Sequence, residues 1–364
     1  MIYLDNAATT KPLRCALNTF VNAPSGNPSS SHRAGREARV ALEGARRTIA
    51  ECMGALPSEV IFTSGSTEAC NLAMNSLAHA CSLWGVAEIE HSAVRGPGKV
   101  LKNTKNLYHE PPRAGFARMY ANNETGEICE RPKTPPREEW EPEDMYLWFC
   151  DATAAVGHVP INFQELGATY LAAGAHKFGG LKGAGFLLVK QGAPVTPIIH
   201  GGGQERGMRG GTESVPLICA MAEALKWSCD NLAKTAPYVT ILRDAMIEKI
   251  LSEIPGAHIN GPWKKGDYTT RLPGNVNVSF DGVEGTTLAH LLDERGICVS
   301  TGSACHTGAG PEPSPVLVAS GLTKERAAGA VRMTLSHKNT MTEVRIVVDE
   351  LKELVAYLRG FQQE

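Results

Sequence analysis

Lys177 lies in Ala175-His176-Lys177-Phe178-Gly179-Gly180, after an apolar run and before two glycines. A lysine at a strand end in a dry pocket has a lowered pKa and can form a Schiff base. Taken alone, the same Lys-Gly-Gly pattern also suits a solvated turn. Asp151 narrows the choice. Phe149-Cys150-Asp151-Ala152-Thr153 ends a hydrophobic run with a carboxylate, and open α/β sheets bind ligands at the carboxyl ends of their strands. A lysine and an aspartate at neighbouring strand ends are the two anchors that pyridoxal phosphate (PLP) needs. The lysine makes the imine, and the aspartate keeps the pyridine nitrogen protonated so that the ring draws electrons. A helix N-cap is the other ordinary use of such an Asp. The phosphate needs donors, and Ser64-Gly65-Ser66-Thr67 stands between a strand-like run and a helical one. Its N–H groups and the hydroxyls of Ser66 and Thr67 face an anion at a helix N-terminus. The same residues also suit a plain capping box.

Cys305 is the remaining reactive candidate. It sits in Ser300-Thr301-Gly302-Ser303-Ala304-Cys305-His306-Thr307-Gly308-Ala309-Gly310. That composition predicts a mobile loop with an exposed thiol whose thiolate is favoured by His306. The alternative is an ordinary loop cysteine. Cys52, Cys70, Cys219 and Cys229 lie in apolar helical runs and are expected to be small buried hydrophobes. The chain has 10 cysteines, none in a C-x-x-C pair, and no Cys/His spacing suits zinc.

The elements that position these residues alternate between helix and strand, the signature of an α/β fold with a largely parallel sheet. Helical periodicity runs from Gly35 to about Met53, and Glu59–Thr63 reads as a short buried strand. A further helix follows Ser64–Glu68. Strand-like runs occupy Met145–Cys150, Tyr170–Ala173, Phe186–Lys190 and Val276–Phe280. Glu213–Ala233 and Tyr238–Ile254 read as helices separated by a break near Pro237. Met341–Gly360 is amphipathic, with Val344, Ile346, Val347, Leu351, Leu354 and Leu358 at helical spacing. The prolines of Arg131–Arg137 predict a surface loop. At 364 residues the chain suits two domains. Lys+Arg 36 against Asp+Glu 38 argues against direct nucleic-acid binding. No apolar run approaches a membrane span. Met1-Ile2-Tyr3-Leu4-Asp5 puts an acid where a signal peptide is basic, so a cytoplasmic location is expected.

With these residues assembled, the chain resembles the cysteine desulfurases of the NifS/IscS type, in the class V aminotransferase branch of PLP fold-type I. The resemblance rests on Tyr3–Thr10, Gly26–Ser30, Thr63–Glu68, Glu90-His91, Asn122–Gly126, Asp151–Thr153, His176-Lys177, Gly201–Gly207 with Arg209 and Thr212, and Gly302–Cys305. These occur in family order over nearly the whole chain. The resemblance implies a large PLP domain over residues 12–233 with a mostly parallel seven-stranded sheet. It also implies a smaller α+β domain formed by residues 1–11 and 234–364.

It implies roles as well. Lys177 would be the Schiff-base lysine and proton shuttle, and Asp151 the pyridine partner. His91 would stack on the ring, Thr67 and His176 would hold the phosphate, and Thr212 would reach it from a partner subunit. Asn123 would lie beside the ring and substrate, and Arg332 would clamp the substrate carboxylate. Cys305 would take the sulfur of L-cysteine as a persulfide and pass it to an acceptor protein. Iron–sulfur cluster assembly and nucleic-acid thio-modification both begin with this step. The implied protein is a homodimer.

Ala154 and Gly174 depart from the family, which has Gln and often Ser there. Both losses imply weaker PLP retention, and Ala154→Gln with Gly174→Ser would be expected to restore it. Set against the family pattern, the end at Glu364 carries the expectation that the extension by which relatives dock a scaffold is missing. Another class V lyase or aminotransferase is the alternative within PLP chemistry, and a degenerate scaffold the alternative outside it. Cys305 argues against the first. Joint retention of Lys177, Asp151, His91, Arg332 and Cys305 argues against the second. Gly201–Gly203 lacks the strand–turn–helix spacing of a dinucleotide site.

Overall fold

Strands covered on both faces read as near-continuous apolar runs, and the larger sheet of this chain is built that way. The computed structural model describes residues 1–101, 114–129, 146–301 and 313–360. It contains two compact units. One is Thr10–Tyr120 with Glu130–Asn231; the other is Met1–Thr9, Ala121–Cys129 and Leu232–Glu364.

In the first unit the strands are β2 (Val60–Thr63), β3 (Leu83–Val86), β4 (Ala114–Ala117), β5 (Tyr146–Asp151), β6 (Tyr170–Gly174) and β7 (Gly185–Val189). Their order is β2-β7-β6-β5-β4-β3. The pairs β3–β4, β4–β5 and β5–β6 are parallel; β6–β7 and β7–β2 are antiparallel. Alternate residues feed two cores, as the pleat dictates. Phe62, Cys150, Leu171 and Phe186 pack with α1 (Arg14–Asn22), α2 (Arg33–Met53), α5 (Phe163–Leu166) and the start of α6 (Val215–Glu253). Ile61, Phe149, Tyr170, Ala172 and Leu187 pack on the other face with α3 (Ser66–Ala80) and α4 (Ser92–Leu101). Six strands lie in this sheet among the described residues, where the resemblance implies seven.

The second unit carries an antiparallel sheet in the order β11-β9-β8, made of β8 (Ala257–Ile259), β9 (Asn275–Phe280) and β11 (Ala330–Thr334). A parallel pair joins β1 (Ile2–Tyr3) to β10 (Ile297–Cys298). Val276, Val278, Val331 and Met333 bury against the later turns of α6, α7 (Gly285–Glu294) and α10 (Met341–Gly360). Two short helices, α8 (Pro315–Ala319) and α9 (Lys324–Ala328), complete the unit.

The break expected at Pro237 does not occur, because α6 runs unbroken from Val215 to Glu253 with Pro237 inside it. A helix-interior proline forfeits one backbone bond. Here Ala236, Val239 and Leu242 are all buried, and that packing outweighs the loss. No helix among the described residues is long and apolar enough to cross a membrane.

Candidate active site

The parallel pair β5–β6 sets the centre of the site. Asp151 is the last residue of β5 and lies opposite Ala172 of β6. Strand β6 ends at Gly174, and Ala175–Lys177 form a 3-10 turn directly after it. Lysine and carboxylate therefore leave neighbouring parallel strands at the same edge of the sheet.

The turn bearing Lys177 is held at three carbonyls. Thr10 donates to the His176 carbonyl twice, from its N–H at 2.9 Å and its Oγ1 at 2.8 Å. His158 Nε2 lies 2.9 Å from the Lys177 carbonyl. Because a carbonyl only accepts, this nitrogen carries the proton. Leu13 N–H donates to the Gly179 carbonyl at 2.8 Å. Burial, reinforced by the Lys177 charge, lowers the His158 pKa and favours its neutral form. Thr10 belongs to a family-like segment that implies no role for it, and His158 carries no sequence signal beyond its place after Asp151.

Asp151 is buried, and its Oδ1 accepts from Thr153 N–H at 3.0 Å. Cys70, buried as expected, does more than fill space: it lies close enough to Asp151 to feel its charge. Burial, with the Asp151 charge adding to it, pushes that thiol well up, so it stays protonated. His91 Nδ1 accepts from Ala93 N–H at 3.1 Å, which leaves the proton on Nε2. Burial lowers the His91 pKa, with Asp151 opposing and Lys177 and Arg95 assisting. The ring is therefore neutral at neutral pH. His176 is pulled down to about 4 by burial and then by the charges of Lys177 and Lys182.

Glu90 precedes His91 with no role implied for it by the resemblance, yet it is fully buried. Its Oε1 accepts from Met119 N–H, and its Oε2 has no partner among the described residues. Burial and the nearby Asp151 charge raise its pKa to about 8. Stability is linked to this shift. Below the unfolded value both states hold the proton. Between there and pH 8 only the folded state does, so stability is lost as pH rises through that window. Glu90→Gln, which stays neutral, is expected to match the parent near pH 5 and to exceed it progressively toward pH 8. The relative gain should approach about 1 kcal/mol per pH unit. Urea unfolding at several pH values checks this, and parallel pH profiles would show that Glu90 is ionised in the fold.

Ser66 and Thr67 open α3, whose N-cap, Gly65, supplies no side-chain cap. Glu68 in that first turn is neutralised by Arg209 at 2.8 Å. The Arg209 pair, together with the hydrogen bond from Ser64, holds the Glu68 carboxyl low despite its burial. The Gln204–Gly207 stretch before it is anchored by Glu205, which is buried and bidentate to Arg46 at 2.9 and 2.7 Å. Thr212, three residues beyond Arg209, is exposed.

In the second unit Arg332 stands on β11, opposite Asn277 of β9. It is buried, and its guanidinium donates to Asp5 Oδ1 at 3.0 Å and to the Asn123 carbonyl at 3.1 Å. Its Nε has no partner among the described residues. The turn bearing Asn123 is closed by Asn122 Oδ1, which accepts from Glu124 and Thr125 N–H groups. Asn275 and Asn277 donate to the Glu124 carbonyl. Strand β9 therefore holds Asn123 and Arg332 together. Asp5, for which the sequence implies no role, is the partner that orients Arg332. Cys305 and His306 lie outside the described residues, as does Arg131–Arg137.

A family profile described as aminotransferase class-V matches residues 2–109 and 116–347. Cysteine desulfurase IscS of Dictyoglomus turgidum is 38% identical, covering 98% of this chain and 95% of that protein. Cysteine desulfurase IscS of Methanosarcina thermophila is 35% identical, covering 99% and 93%. The chain belongs to the class-V aminotransferase family, among the cysteine desulfurases of the NifS/IscS type. A solved NifS-like protein superposes with a TM-score of 0.85 at 31% identity, covering 98% of this chain and 99% of its own. SspA, solved in complex with cysteine, gives a TM-score of 0.72 at 25% identity, covering 93% and 100%.

Cysteine desulfurases depend on PLP, and the first unit has the donor set for it. Lys177 offers an amine, Asp151 a buried carboxylate, and α3 an uncapped N-terminus whose one acid is neutralised. The seating of that N-terminus on the sheet supports the same fit. A Cβ at Gly185 would lie 2.6 Å from the Gly65 carbonyl carbon, so only glycine lets the turn come so close.

Proposed function

We propose that this chain converts L-cysteine to L-alanine and carries the sulfur on Cys305 as a persulfide. The observation that supports it most is the placement of Lys177 and Asp151 on neighbouring parallel strand ends. The cysteine bound to SspA, a structural neighbour, favours the same substrate. Lys177 Nζ would hold PLP covalently, Asp151 would hold the proton on its pyridine nitrogen, and His91, neutral with its proton on Nε2, would lie against the ring. Ser66, Thr67 and His176 would bind the phosphate, with Thr212 supplied by a partner subunit of a homodimer. When bound, the cofactor serves as an electron sink for the amino-acid carbon skeleton.

The remaining steps belong to the chain. Arg332, held by Asp5 and the Asn123 carbonyl, would bind the substrate carboxylate, and Asn123 would orient the substrate. Lys177 would remove and return the proton at Cα. The Cys305 thiolate would attack the substrate sulfur. The Cβ–S bond breaks, its electron pair stays with carbon and takes up a proton, and an S–S bond forms. Cysteine plus one thiol gives alanine plus one persulfide, with no external oxidant. We further propose a cytoplasmic protein that hands this sulfur to an acceptor protein, for iron–sulfur cluster assembly or nucleic-acid thio-modification.

A single-turnover assay with L-cysteine and no reductant tests the reaction. Alanine and protein-bound persulfide are expected in equal amounts. Pyruvate and ammonia in place of alanine would identify a lyase instead.

A further inference from the structure

Gly174 looks like a lost phosphate ligand when it is compared with the serine frequent in the family. The geometry assigns it a different part, and we infer that Ser66 supplies the missing hydroxyl from the same space, with Gly174 as the vacancy that admits it. This rests on the proposed PLP site.

Gly174 ends β6 and pairs with Gly185 of β7. These two glycines form the floor beneath the first turn of α3. A Cβ on Gly174 would lie 3.0 Å from Ser66 Oγ, 3.1 Å from Ser66 Cβ and 3.2 Å from Ser66 N. Each distance is shorter than an ordinary van der Waals contact, and one of the atoms crowded is backbone. A serine side chain at 174 would require Ser66 to give way by a few tenths of an ångström. The side chain of residue 66 borders that space, its hydroxyl 3.0 Å from the point at which a side chain on residue 174 would start. Ser66 is also the first residue of α3, at a helix N-terminus without a side-chain cap, where an anion is favoured. Ser66 is not spent on capping, since Gly65 is the N-cap and α3 has no side-chain cap. The Ser64 N–H is taken by Glu68 at 2.8 Å.

Residues 66 and 174 are therefore reciprocal, with one hydroxyl between them. This reverses the expectation for Gly174→Ser. In the parent it should crowd Ser66, push the α3 terminus off the sheet and speed cofactor loss. In a Ser66→Gly background the same substitution should slow loss, because the hydroxyl returns without the clash. Ser66→Ala, which keeps the backbone and removes only the hydroxyl, should speed loss about tenfold, the scale of one hydrogen bond to a charged group.

The experiment follows the visible cofactor band of the holoenzyme after dilution, for the parent, Ser66→Ala, Gly174→Ser, Ser66→Gly and Ser66→Gly/Gly174→Ser. Urea unfolding of each apoprotein separates a folding defect from a binding one. Opposite signs for Gly174→Ser in the two backgrounds are expected. Slower loss for Gly174→Ser in the parent, or an unchanged rate for Ser66→Ala, would overturn the exchange while leaving the PLP reading intact. A parent protein that takes up no PLP at all would overturn both.

Discussion

Lys177→Ala is expected to leave a folded protein in which borohydride fixes no PLP to the chain. Alanine production should fall by at least about a thousandfold, the scale of a lost general acid–base group combined with a lost covalent anchor. The fold should survive because the turn is held through backbone. The carbonyls of His176, Lys177 and Gly179 take their hydrogen bonds from Thr10, His158 and Leu13, and none of these uses the Lys177 side chain. Asp151 also keeps its bond from Thr153 N–H, so PLP can still enter non-covalently and be seen by its absorbance. Mass analysis after borohydride treatment is the direct readout. A variant that still forms a reducible adduct would mean that another amine is the anchor and that Lys177 has been misassigned.

What can be read from the sequence divides along physical lines. Strands β5, β6 and β7 carry long apolar runs, so the residue pattern alone places Asp151 and Lys177 at strand ends. Strands β3 and β4 are not legible in this way: Leu83–Val86 and Ala114–Ala117 are four residues each, and each contains a glycine. Helix α10 begins where its periodicity predicts and covers the predicted stretch through Gly360. Pro237 misleads because a local rule is overruled by packing on both sides of it.

The site shows the same division. Lys177 and Asp151 stand out in the sequence by type and position, and His91 and Arg332 only through the family resemblance. Residues that work only by holding others in place do not stand out. Thr10, His158 and Asp5 act through hydrogen bonds to distant segments, and sequence spacing says nothing about such pairs. The relation between Ser66 and Gly174 is of this kind too. Two positions that look independent along the chain share one volume in space.

Cys305→Ser should separate the two halves of the reaction. In the proposed reaction the proton at Cα is handled by Lys177, whereas Cys305 acts only on the substrate sulfur. The variant is therefore expected to retain PLP, and the cofactor band should still shift when L-cysteine is added, because binding and proton removal need no nucleophile. Persulfide should be absent. Alanine production should fall by orders of magnitude, since a serine hydroxyl is a far weaker nucleophile toward sulfur than a thiolate. His91→Ala should fail earlier and differently. In the parent the His91 ring is neutral, fixed by the Ala93 N–H on its Nδ1. Removing it should weaken the spectral response to L-cysteine itself, with the thiol of Cys305 still free to react. Following absorbance, alanine and protein-bound sulfur together in both variants distinguishes these outcomes. If Cys305→Ser released alanine at the parent rate, sulfur would be leaving without the thiol, and the persulfide route would have to be replaced by direct elimination.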